Sequence, residues 1–136
     1  MPYVAPADKV TGSTLTPAEF NLLADAVEAA AEALTSTTTT ALTAYTLALT
    51  DARKVVETTA ATAVTLTAPP NSTVAFPIGT VVGLRQYGAG QVTVVPAAGV
   101  TIRSRGGALK TAGQYAEAAL TKRATDEWVL TGDVTV

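Results

Sequence analysis

The amino-acid sequence predicts a mainly β protein with an N-terminal α-helix: a small antiparallel β-sandwich or barrel of seven or eight short strands, preceded by an arm and a coiled-coil-like helix. Three observations predict it. Beyond Tyr45 apolar and polar residues alternate with period two, and turn residues recur about every eight to twelve positions. Between Phe20 and Leu34 the apolar period is helical instead. The composition also shifts near residue 40: through residue 44 five carboxylates face Lys9 alone, whereas the remainder is slightly basic. The chain is expected to divide into an arm over 1–15, an amphipathic helix over 16–34, a threonine-rich linker over 35–44 and a β-domain over 45–136.

The arm begins Met1-Pro2-Tyr3-Val4-Ala5-Pro6, with no basic stretch leading into an apolar core, so it does not read as a signal peptide. No uncharged apolar run is long enough to span a bilayer, and synthesis and folding in a cytoplasm are expected. Tyr3, Val4 and Pro6 are apolar residues on a free segment, open either to a grip on a partner or to a loose terminus.

The helix start is the most specific local signal. Thr16 fits the N-cap, Pro17 the first helical position, where its missing N–H costs nothing, and Glu19 the position that reaches back to the cap. Leu15 and Phe20 then form a hydrophobic staple. Phe20, Leu23, Val27, Ala30 and Leu34 follow at alternating spacings of three and four, the pattern of a coiled-coil seam. A helix of about 18 residues is marginal alone and needs a partner surface. That surface is either the chain's own β-domain or other copies of the same helix. The run Thr35-Ser36-Thr37-Thr38-Thr39-Thr40 forms helix poorly and reads as an extended spacer, which favours association between copies.

In the β-domain the alternation predicts strands over 45–49, 54–58, 63–67, 80–86, 91–96, 100–103, 115–123 and 128–131. Tyr87-Gly88-Ala89-Gly90 is expected to turn a hairpin, its glycines supplying positive φ. The prolines of Ala68-Pro69-Pro70-Asn71-Ser72 and Phe76-Pro77-Ile78-Gly79 end strands. Trp128, alone in a terminal strand, reads as a core anchor ahead of a sugar-stacking platform. Threonine and valine dominate and large side chains are few, so a lone copy has a thin core. Covering a further flank with a neighbour contributes about 25 cal/mol per Å² of apolar surface.

Composition narrows the chemistry. Cysteine and histidine are both absent, which removes disulfides, thiolate and imidazole metal ligands and the commonest nucleophile and general base. Asp126 and Glu127 are adjacent and point to opposite faces in a strand, a poor catalytic pair. The net charge of −2 shows no concentrated basic face for nucleic acid. Arg103-Ser104-Arg105-Gly106-Gly107 reads as a solvated turn, and neither it nor Gly88-Ala89-Gly90 leads into a helix as a phosphate loop does. The expectation is a protein that is not an enzyme, holds no cofactor or metal and binds neither nucleic acid nor membrane.

The segment Pro69-Pro70-Asn71-Ser72-Thr73-Val74-Ala75-Phe76-Pro77-Ile78-Gly79-Thr80, with Arg85 to Thr93 and Gly99 to Arg103, resembles a C-terminal β-module of tailed-bacteriophage structural proteins. Such modules occur on capsid decoration proteins, head fibres and minor tail proteins. The closing run Ala124 to Asp133 is similar to the end of that module, and Gly12 to Asn21 is similar to a phage-structural start. The resemblance implies a homotrimer on the virion, without activity or cofactor, and the seam Phe20, Leu23, Val27, Ala30 and Leu34 read from the spacing is the expected oligomerisation surface. For a chain of this length it implies capsid decoration or a short head fibre, with the arm residues Tyr3, Val4 and Pro6 against the major capsid protein. A minor tail or tail-fibre component that binds a host-surface receptor or glycan is the alternative.

Overall fold

The computed structural model describes residues 37–136. The arm and helix, with Tyr3, Val4, Pro6, Phe20, Leu23, Val27, Ala30 and Leu34, lie outside the described residues.

Eleven strands form among the described residues: β1 (Thr37–Thr40), β2 (Ala44–Thr46), β3 (Val55–Thr58), β4 (Val64–Ala68), β5 (Val81–Gln86), β6 (Val92–Pro96), β7 (Thr101–Ser104), β8 (Lys110–Thr111), β9 (Glu117–Ala124), β10 (Glu127–Gly132) and β11 (Val134–Thr135). They build two sheets, in the orders β1-β3-β5-β9-β10-β7 and β11-β8-β6-β4-β2. The period-two alternation sets one face of each strand inward. In β4, Val64, Leu66 and Ala68 are buried while Thr65 is exposed; in β5, Val82, Leu84 and Gln86 are buried while Val81 faces out. Side chains from both sheets meet in one core, which includes Val56, Leu66, Val94, Leu84, Leu120 and Leu130.

The expectation of an antiparallel sandwich is corrected by the strand directions. From β1 to β8 each strand enters the sheet opposite its predecessor, so the chain winds around the core as a short coil. Strands one turn apart then run parallel: β1 with β3, β3 with β5, β2 with β4 and β4 with β6. The winding ends at the β9–β10 hairpin, which adds antiparallel beside β5 and accepts β7 in parallel on its far side.

Two local expectations change with it. Thr37–Thr40 is no linker but the edge strand β1, in register with Val55–Thr58, so the β-domain begins at least eight residues before Tyr45. A threonine run that resists helix is equally suited to an edge strand. Tyr87-Gly88-Ala89-Gly90 is no hairpin but the corner that carries the chain from β5 in one sheet to β6 in the other. Its N–H groups donate to the corner below: Tyr87 and Gly88 to the Thr58 carbonyl and Gly90 to the Ala60 carbonyl, all at 2.9 Å. Neither glycine has positive φ. A Cβ on Gly88 or Gly90 would overlap the Ala60 or Thr62 carbonyl, so close approach of stacked corners is what requires glycine here.

Two buried polar groups hold loops to this frame. Gln86, 1% exposed, donates from Nε2 to the Gly88 and Ala89 carbonyls, and its Oε1 accepts from the Thr111 hydroxyl, tying the corner to β8. Lys122, 2% exposed on the inner face of β9, donates from Nζ to Asn71 Oδ1 at 2.5 Å and to the Phe76 carbonyl at 2.7 Å. Asn71 N–H donates in turn to Asp126, so the proline-rich loop is latched to the β9–β10 hairpin. Burial pushes the Lys122 ammonium below the usual lysine pKa, and the Asp126 charge opposes that push. Trp128 lies in the core with its ring edge-on to Phe76 at 5.3 Å, an anchor and no platform.

Candidate functional site

Strand register assembles the outer face of the six-stranded sheet from side chains far apart in sequence. Its middle is small and apolar. Val55 of β3 stands beside Gly83 of β5, Gly83 beside Ala119 of β9, and Ala119 beside Thr131 of β10. The next row runs Val81, Thr121, Val129 and Arg103. Val81, the first residue of β5, is 42% exposed. A trough of about 370 Å³ lies near the start of β5, lined by Arg53, Lys54, Val55, Gly79, Val81 and Gly83.

Charges close the apolar middle at both ends. At one end Arg85 donates to Glu57 at 3.0 Å and to Glu117 at 2.6 Å, leaving one excess negative charge. These two bonds, Glu117 first, raise the Arg85 pKa further above its ordinary value. At the other end Glu127 sits between Arg123 at 2.6 Å and Arg103 at 3.4 Å, leaving one excess positive charge. Arg53 and Lys54, at the start of β3, form no ion pair among the described residues and belong to that basic side. Such exposed pairs contribute little stability individually. Across an interface, charges of this kind select orientation more than they add affinity.

A second exposed feature lies at the corner of β5. Tyr87 and Tyr115, 53% and 65% exposed, pack edge to face with ring centroids 5.6 Å apart. Tyr115 holds φ at +69°, a conformation uncommon for a bulky residue, and its N–H donates to the Gln86 carbonyl at 2.6 Å. Gln114 Nε2 donates to the Tyr87 carbonyl. The two tyrosines are thus brought together by the fold, while the buried Trp128 is not part of the cluster.

Of the remaining sequence candidates, Arg105 begins a 3-10 turn with Gly106 and Gly107 at positive φ, and Arg103 is absorbed in the basic end of the sheet face. The apolar outer face escaped sequence reading because it exists only through register. Its one sequence signal was the pairing of an outward valine with an outward glycine in Val81-Val82-Gly83. Comparison of the chain with protein-family models, curated protein sequences and solved structures found no match.

Proposed function

We propose that this chain is a structural protein of a virus particle. It is a capsid decoration or head-fibre subunit that trimerises, attaches to the major capsid protein and projects its β-domain from the capsid surface. The observation that carries the reading is the outer face of the six-stranded sheet, with small, largely apolar side chains in the middle and charges at both ends, a surface suited to contact with protein. The helix seam Phe20, Leu23, Val27, Ala30 and Leu34 serves the same assembly, and Tyr3, Val4 and Pro6 supply the grip on the capsid. No catalysis and no cofactor enter this role, and the resemblance to phage structural modules supports it. The test is to add purified protein to capsids that lack it. Saturable binding in fixed ratio to capsid subunits is expected; binding to tail tips instead, or to neither, contradicts the reading.

The exposed Tyr87–Tyr115 pair favours one alternative, a tail component that binds a host-surface glycan, because sugar rings stack on exposed aromatic faces. Under that reading the protein is retained on glycan arrays and loses retention on Tyr115→Ala.

A further inference from the structure

The outer face of the six-stranded sheet is polarised along its strands. Glu57 and Glu117 mark the acidic end, where β3 and β5 finish; Arg103 and Arg123 mark the basic end, where β5 begins. Between them lie Val55, Val81, Ala119 and Val129, with Thr121 and Thr131 among them. At Gly83 a Cβ would come to 3.0 Å from the Val55 side chain, so β3 and β5 lie close there. A surface of this kind presents its own complement. A second copy placed with its strand ends reversed sets basic against acidic at both ends and apolar against apolar between them. A copy placed with like ends together meets repulsion.

We infer that two copies of this chain pair through this face, the acidic end of each meeting the basic end of the other. The inference rests on the assembly reading above and adds to it the surface and its direction. Because the same face is used on both copies, this contact is isologous and closes as a two-fold pair. Desolvated opposite charges at the rim fix orientation and register, while the apolar middle supplies the affinity. Arg53 and Lys54, beside the trough, strengthen the basic end.

The experiment is sedimentation of the full chain in three charge variants, with circular dichroism to confirm folding. Arg103→Glu with Arg123→Glu, and Glu57→Lys with Glu117→Lys, each make both ends alike. Each is expected to weaken self-association at least tenfold, and wild-type association should weaken as salt rises. The fourfold variant exchanges the ends and is expected to associate as the wild type does. Val81→Asp, placed in the apolar middle, is expected to dissociate the oligomer at unchanged fold. Charge variants that associate like the wild type, or a fourfold variant that stays dissociated, overturn the inference. A wild-type chain that sediments as a monomer with this face protected from labelling gives the face to residues 1–36 of the same chain, which also overturns it. Failure on capsids with charge-dependent association intact would remove the capsid role and leave the interface. An oligomer sensitive only to Leu23 and Val27 would do the reverse.

Discussion

At Gly90 the backbone passes so close to the Thr62 carbonyl that one methyl group decides whether two corners can stack. Gly90→Ala is therefore expected to cost about 2–3 kcal/mol, in the range of overpacking a filled interior. Gly79 makes the useful comparison: its φ of +91° is left-handed, but a Cβ there meets nothing within 4 Å. Gly79→Ala should cost only about 1–2 kcal/mol, the price of that backbone conformation. Denaturant unfolding of the two variants orders them. Tyr45 offers a test by pH. Burial, and then its hydrogen bond to Asp51 and the charge of that carboxylate, pushes the phenol up to about 12. The unfolded chain loses this proton near 10 and the folded chain only near 12, so stability falls as pH rises through that window. Lys122 acts oppositely: its folded pKa lies below the unfolded one, so its contribution grows as pH rises toward 10.5. Thermal unfolding from pH 9 to 12 should show the fall in the wild type and a smaller fall in Tyr45→Phe.

At the scale of elements, period-two alternation was enough to locate most of the longer strands, because it marks which residues face inward whatever the strand direction. Direction itself leaves no trace in that period. Antiparallel pairing was read where the chain winds in parallel, and the Gly88-Ala89-Gly90 signal served a stacked corner as readily as a tight turn. Strand β1 was missed because threonine suits a spacer and an edge strand equally. Strands β8 and β11, two residues each, carry no periodicity at all. The polar staple at Gln86 was equally invisible, being defined by partners on β8 and the corner. Gln86→Leu leaves the Gly88 and Ala89 carbonyls and the Thr111 hydroxyl without that partner and is expected to cost about 1–3 kcal/mol. Hydrogen exchange at Tyr87 and Gly88 should accelerate in the variant if the staple holds the corner in place.

On the scale of the whole molecule, the seam expected from Phe20 to Leu34 is a reading of the sequence that lies outside the described residues, while the polarised sheet face becomes legible only once register is known. The seam predicts that Leu23→Asp with Val27→Asp weakens the oligomer, since charges placed at seam positions would be buried unpaired. The face predicts that oligomer strength falls with salt, which an apolar seam alone does not require. The two sets of variants therefore separate the contributions of helix and sheet.

The most direct measurement of whether this protein works by association is native mass spectrometry of the purified chain over a range of concentrations. The account predicts oligomers built from three chains, from about 41 kDa upward, against the 13.8 kDa of one chain. A 13.8 kDa species alone, persisting at the highest concentration, would contradict it.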